Sequence, residues 1–311
     1  MTAREPLVSV GLPVRNGGPG IQDTVHSILA QDRGDLEVII SDNGSDDGTE
    51  DLCRDLARTD GRVHYHRQPR NIGLLNNFRW VISEARGRYF RWIGHGDRLE
   101  PSYLARTLDR FAADDRLILV TTQLSFIEPD GLAHTARYRG RALESDRPVE
   151  RFAEMLRLQN DDYRLLDPLY GLVRRAPIAA IPRRNMLRDD EVFAAKMALA
   201  GPWGHVPEVL GHRGWAYEPA SELARKLDVP AWQAPLSTLL QCRELVAHLS
   251  TVPLSSAERR YAHRCVARLF LHRNGRRVHR KIDRIAAVAR PTQAGDQRGP
   301  NQEEEKRCAS C

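Results

Sequence analysis

The chain has 311 residues, enough for one large α/β domain with a helical extension, and its 41% apolar and 28% charged residues are ordinary for a globular protein. A formal charge of +6 is too small for a dedicated nucleic-acid binder, and no apolar run reaches the roughly 18 residues that would span a bilayer. The opening, Met1 to Pro6, carries no apolar leader, so the expected compartment is the cytoplasm. Five cysteines scattered along the chain argue against a disulfide framework, and the Cys308-Ala309-Ser310-Cys311 spacing falls in a polar stretch, residues 291–311, expected to be a disordered tail. Only Lys196, Lys226, Lys281 and Lys306 are lysines among 47 basic residues, an arginine bias associated with GC-rich coding and hence with a bacterial source.

In chain order, residues 7–14 form an apolar run that reads as a buried strand, followed by a helix over 21–31 with Ile21, Val25, Ile28 and Leu29 on one side. A second strand spans 37–41, and Thr49 is placed to cap a helix through Leu56. A short strand at 63–66, a turn at Asn71-Ile72-Gly73, a helix through Phe78, Val81 and Ile82, and a strand at 88–93 complete a β-α-β-α-β-α-β series. Connections this short predict a mostly parallel sheet with helices on both faces. A helix over 101–113, a strand over 117–126 and an irregular segment over 128–150 follow. Helices at 151–158 and 190–200, short strands at 169–173 and 206–210, and a C-cap at Gly201 come next. From Ser221 the pattern is helical, with segments at 235–249 and 257–271 and a basic stretch at 273–290.

Strands two and four both stop at acids. Val38-Ile39-Ile40 runs into Ser41-Asp42-Asn43-Gly44-Ser45-Asp46-Asp47-Gly48-Thr49, and Phe90-Arg91-Trp92-Ile93 runs into Gly94-His95-Gly96-Asp97. In open α/β sheets ligands bind beyond the carboxyl ends of the strands, so acids there can meet a ribose, a base edge or a phosphate-bound metal. Gly17-Gly18-Pro19-Gly20 lacks the Lys-Ser/Thr of a P-loop, and the chain has no GxGxxG after its first strand. A nucleotide triphosphatase and a dinucleotide-dependent dehydrogenase are both disfavoured.

In these motifs, taken in order, residues 7 to about 215 resemble a family 2 glycosyltransferase of the GT-A fold. The resemblance implies nucleotide-sugar contacts at Pro13, Val14, Arg15 and Asn16 after the first strand, at Asp42 and Asn43, at Arg70, Asn71, Gly73 and Asn76, and at His95, Gly96 and Asp97. The last three occupy the place of the family's DxD-type motif, with Gly96 where another Asp is common. A divalent cation, Mn²⁺ or Mg²⁺, would stabilise the leaving diphosphate, with Asp97 as its protein anchor. His212 has two readings, a second metal ligand or a solvated loop histidine. Asp42 and Asn43 likewise fit either base and ribose contact or plain turn chemistry.

Arg188-Asp189-Asp190-Glu191-Val192-Phe193 resembles the family's segment in which an acid opens a helix that a glycine ends. Asp190, with Asp189 beside it, would then be the general base of an inverting displacement; the alternative is that either acid merely caps the helix. The activity implied is transfer of a sugar from a nucleotide-diphosphate sugar, a UDP-hexose or UDP-N-acetylhexosamine foremost, to a hydroxyl or amine. The acceptor would be a small molecule, a carrier-tethered group or a glycan, in natural-product or cell-surface polysaccharide synthesis. Competing readings are a nucleotidyltransferase and a degenerate GT-A-like binding module. Trp203, Trp215 and Tyr217 fit either acceptor stacking or core packing. The expected division is a GT-A domain over 1–220, with a nucleotide-binding half 1–127 and an acceptor-side half 128–220, then a helical extension over 221–290. The basic amphipathic pattern of that extension fits packing on the domain first, and leaves room for peripheral membrane contact or docking of an acidic carrier protein; a homodimer is a further expected partner state.

Overall fold

A computed structural model describes residues 5–161, 165–214 and 218–288, with side chains as far as 275. The chain falls into two units, Met1–Arg273 and Asn274–Cys311, the second carrying the last helix on to Val288. The expectations for 291–311, for the Cys308/Cys311 pair, and for Trp215 and Tyr217 fall outside the described residues.

Strands β1 (Val8–Val14), β2 (Leu36–Asp42), β3 (Val63–Arg67) and β4 (Tyr89–Trp92) alternate with helices α1 (Gly20–Leu29), α2 (Thr49–Thr59) and α3 (Leu74–Glu84). The four strands lie parallel in the order β3-β2-β1-β4. Past β4 the sheet becomes mixed. Strand β8 (Leu172–Arg174) runs antiparallel to β4, and β6 (Leu119–Ile127) antiparallel to β8. Strand β9 (Trp203–Gly214) lies parallel to β6, and β5 (Arg98–Leu99) closes the edge antiparallel to β9. A two-residue strand β7 (Ala133–His134) hangs on β6.

Side chains alternate along a strand, so Val8, Val10, Leu12 and Val14 of β1 face one way, onto Ile21, Val25 and Ile28 of α1 and Leu104 and Phe111 of α4 (Tyr103–Ala113). The opposite face carries Ile39, Phe90 and Trp92 against Val81 and Ile82 of α3 and Phe193 and Met197 of α7 (Asp189–Ala200). Covered on both sides, β1 and β2 are buried at every residue, which is the reason for their unbroken apolar runs. A third core joins Phe152 and Leu156 of α5 (Pro148–Leu158), Val192 and Leu199 of α7, Leu245 and Leu249 of α9 (Gln233–Leu249), and Val266 and Leu269 of α10 (Ser256–Val288). Helices α9 and α10 therefore share a core with α5 and α7; of the apolar residues expected to pack in 259–290, Val266 and Leu269 are buried, Leu271 is exposed, and those past 275 lie outside the described side chains. Short helices α6 (Arg175–Ala179) and α8 (Ala220–Lys226) have no periodic signal of their own.

Local chemistry differs from expectation at several points. Gly48 rather than Thr49 holds the N-cap position of α2, and the Thr49 hydroxyl instead accepts from the Gly17 amide at 3.0 Å, tying α2 to the turn after β1. Gly201 is the C-cap of α7 as expected, but in extended backbone at φ 179 rather than left-handed, and a Cβ there would come within 2.6 Å of Ile118. Gly87 is set by packing too: a Cβ would lie 2.6 Å from the Ser9 amide nitrogen and 2.8 Å from the Val8 carbonyl carbon, both backbone. Gly87→Ala is expected to cost about 1–3 kcal/mol by forcing β1 and β4 apart, read as a lowered denaturation midpoint at constant slope. An unshifted midpoint would mean that this strand pair gives way freely.

Candidate active site

The loops after β1, β2 and β4 meet at the carboxyl edge of the parallel strands. Asn16, in left-handed backbone at φ 53, donates its amide to Ser45 Oγ at 2.9 Å and its Nδ2 to Asp46 Oδ1 at 2.7 Å. Asn43 is buried, donates its amide to the Val14 carbonyl at 2.8 Å and its Nδ2 to Asn71 Oδ1 at 2.8 Å, and accepts from the Ile72 amide at 2.7 Å. Asn71 Oδ1 also receives the Gly73 amide, and Asn76 Nδ2 donates to the Ile72 carbonyl, so the Asn71 to Asn76 turn is fixed from both sides. Gly44 has φ 68 and lies 3.1 Å, by a built Cβ, from the Arg70 and Asn71 backbone, an approach that only glycine tolerates in that conformation.

These residues thus form one connected platform. Pro13 and Val14 contribute buried strand backbone to it. Arg15, Arg70 and His95 stand exposed, with no described hydrogen bond. Asp42 is fully buried, its Oδ1 accepting from the Ser45 amide and hydroxyl and its Oδ2 from Tyr65 at 2.9 Å and Arg67 at 3.1 Å. Turn chemistry and a tertiary ion pair therefore both hold Asp42 in this state.

The third loop delivers Asp97, 4% exposed. Thr24 of α1 fixes its backbone, donating to the Asp97 carbonyl at 2.8 Å and accepting from the Gly96 amide at 2.9 Å. Gly96 has φ 82 and faces open space, whereas Gly94 donates its amide to Asp97 Oδ2 at 3.1 Å. Burial raises the Asp97 pKa, opposed by Arg213, the Gly94 amide and the buried Arg91 beneath. Arg213 Nε lies 3.3 Å from Asp97 Oδ2, and its Nη1 binds Asp167 Oδ2. The guanidinium carbon stands 3.5 Å from the centre of the Tyr170 ring. Arg91 donates to the Tyr103 hydroxyl at 2.7 Å, and its Nε has no partner.

His212 precedes Arg213 on β9, so the two side chains leave opposite faces. It pairs in register with Arg98 and meets Glu100 Oε1 at 2.7 Å. The structure does not bring it to Asp97; Arg213 takes that place. Among the described residues no three His, Cys, Asp or Glu side chains converge as a metal site. Asp97 Oδ1 has no described hydrogen bond. One open carboxylate oxygen suits a hard cation that arrives with most of its ligands already supplied by phosphate and water, and does not suit one that binds alone.

At the start of α7 the two acids part. Asp189 is buried and held by Arg183 Nε at 2.9 Å and Nη2 at 2.5 Å. Asp190 is exposed, and desolvation by the protein packed around it pushes its pKa up to about 6. The charges of Glu191, Asp167 and Asp189 add to the rise, and the Glu191 amide opposes it. Asp167 therefore links Asp190 electrostatically to the Arg213–Asp97 pair. Arg188, in left-handed backbone at φ 66, is the N-cap of the helix and makes no side-chain cap hydrogen bond. Trp203 is 1% exposed and donates to the Met197 carbonyl, a core residue rather than an acceptor platform.

The sequence pattern of glycosyl transferase family 2 matches residues 9–179, more than half of the chain. The chain belongs to glycosyl transferase family 2. It is 35% identical over 128 residues to a hyaluronan synthase of Pasteurella multocida, covering 41% of this chain and 13% of that one. It is 33% identical over 131 residues to a putative teichuronic acid biosynthesis glycosyltransferase, TuaG, of Bacillus subtilis, covering 42% and 52%. The matches thus span at most about half the length of these relatives. Among solved structures, S. aureus TarS 1–349 superposes with TM-score 0.62 at 14% identity, covering 85% of this chain and 71% of that one. The same protein in complex with UDP-GlcNAc gives 0.60 at 13% identity, covering 85% and 72%. These likenesses establish the GT-A fold. The α/β sheet with a helical C-terminal region agrees with the expectation from the motifs, and no helix among the described residues is long and apolar enough to cross a membrane.

Sequence reasoning missed Arg213, Asp167, Tyr170 and Arg91. Arg213 stands one residue from the histidine singled out, and only strand alternation, known once β9 is seen to run to Gly214, says which of the two faces the site.

Proposed function

We propose that the chain is an inverting glycosyltransferase that moves a sugar from a UDP-sugar to a hydroxyl of a glycan. The observation that carries this reading is the grouping of Asp97, Arg213, Asp167 and the raised-pKa Asp190 beside the platform of Asn16, Asn43 and Asn71. In this reading residues 1–127 bind the nucleotide and 128–220 face the acceptor. The names of the relatives, a hyaluronan synthase and a teichuronic acid enzyme, support a polysaccharide product, and the UDP-GlcNAc bound by TarS supports the donor class.

Asp97 would hold a divalent metal, which when bound would supply positive charge against the charge growing on the leaving diphosphate. Asp190 takes the proton of the acceptor hydroxyl as its oxygen bonds to the anomeric carbon. The carbon–oxygen bond to phosphate breaks, its electron pair leaves with UDP, and the configuration inverts. A pKa near 6 suits this base, deprotonated at neutral pH yet basic enough to take the proton.

Calorimetric titration with UDP, GDP and dTDP, each with Mn²⁺ and with EDTA, tests the donor site. UDP binding that needs Mn²⁺ and is weakened at least about tenfold in Asp97→Ala is expected. Equal affinity in that variant removes Asp97 as the anchor. NMR of the product's anomeric configuration tests inversion.

A further inference from the structure

Arg213 lies where a metal-anchoring carboxylate would be left open. Its Nε is 3.3 Å from Asp97 Oδ2, its Nη1 binds Asp167, and its plane stacks on Tyr170. Only 16% of its side chain is exposed. A bare divalent cation approaching Asp97 would share one carboxylate with this guanidinium and feel Arg91 behind it. At such separations two positive charges in a poorly solvated recess repel strongly. A diphosphate reverses the balance, because its negative oxygens can face the metal and the guanidinium together.

We propose that Arg213 is a latch on Asp97: it keeps divalent metal out of the empty site and, when the diphosphate arrives, turns its fork from Asp97 to phosphate oxygens. Asp167 and Tyr170 keep the guanidinium in place while its Nε changes partner. A planar fork can hold one carboxylate and one phosphate at once, which a lysine ammonium does poorly. Metal then enters only with the nucleotide, and Arg213 shares the leaving group's charge with it. The proposal rests on the donor reading above, but its first consequence concerns metal alone.

The test titrates Mn²⁺ without nucleotide into wild type, Arg213→Gln, Arg213→Lys and the double variant Arg213→Gln/Asp97→Asn, following free Mn²⁺ by electron paramagnetic resonance. Wild type and Arg213→Lys should leave the ion free. Arg213→Gln, which exposes the Asp97 and Asp167 carboxylates, should bind it at least about tenfold more tightly, and the double variant should lose that gain. Wild type that takes up Mn²⁺ alone as tightly as Arg213→Gln overturns the latch, and so does an Arg213→Gln that shows no gain. Adding UDP to wild type provides a second reading that needs no variant: Mn²⁺ uptake should switch on with the nucleotide, and uptake already complete without it also overturns the latch. If UDP fails to bind wild type with or without Mn²⁺, the donor reading fails, while the metal-only series still decides whether Arg213 guards Asp97.

Discussion

Asp190→Asn should lower the rate of sugar transfer by about 10²–10⁴-fold while leaving UDP affinity within about twofold of wild type. The amide keeps the shape and the helix start but cannot accept the acceptor's proton. Because burial pushes the Asp190 pKa up to about 6, wild-type transfer should rise with pH through that value and level off above it. The variant's residual activity should lack this limb. The same shift has a stability consequence of definite sign. A carboxyl that binds its proton more tightly in the folded than in the unfolded chain stabilises the fold fully below the ordinary value of 3.8, and loses that contribution as pH rises through about 6. The uncharged Asn variant should therefore melt higher than wild type at pH 8, and the advantage should vanish near pH 4. Solvent reaches Asp190, so the difference will be modest. Transfer that survives unchanged in the variant would remove Asp190 as the base.

Arg151→Ala should destabilise the protein by about 2–4 kcal/mol, the largest expected loss from any single charged side chain outside the site. Arg151 is 2% exposed and has no carboxylate hydrogen-bonded to it. It donates Nε to the Ala198 carbonyl at 2.7 Å, Nη2 to the Leu199 carbonyl at 3.2 Å and Nη1 to the Ser145 carbonyl at 2.5 Å. The last turn of any helix leaves carbonyls without intrahelical partners, and near the end of α7 Ala198 and Leu199 are buried. Removing the guanidinium strands these acceptors and leaves a cavity in its place. Burial lowers the Arg151 pKa to about 10, so the cation persists at neutral pH and the cost should be flat from pH 5 to 8. Urea denaturation at both ends of that range measures it; a loss under about 0.5 kcal/mol would mean that other groups satisfy the α7 carbonyls.

The parallel half of the sheet was legible because burial on both faces writes apolar runs and the turns between them carry Gly, Asn and Asp. Asp97, the Asn43–Asn71 pair and the acids opening α7 were legible because each sits at an element boundary. The β5–β9 ribbon was not, since two residues make no periodic signal and Pro207 interrupts the run through β9. That gap hid which of His212 and Arg213 faces Asp97. Asp167 and Tyr170 lie around a short 3₁₀ turn, Pro168–Tyr170, with no pattern that distinguishes them from other loop residues. Gly201 caps α7 as expected, but the space that requires a glycine there, set by Ile118, is a tertiary contact that no local pattern shows.

Glu191, the neighbour whose charge lifts Asp190, is held by Arg273 of α10 at 2.6 Å, by Gln241 of α9 at 3.0 Å and by Arg188 at 2.5 Å. Arg273 also reaches Asn160 and the Gln159 carbonyl at the end of α5. Contacts from α9 and α10, past residue 179 where the family match ends, thus reach the residue next to Asp190, whose raised pKa comes first from desolvation and then from the Glu191 charge. In the proposed reading those helices hold a charge beside the base, so a change in them would reach the chemistry without touching the nucleotide half.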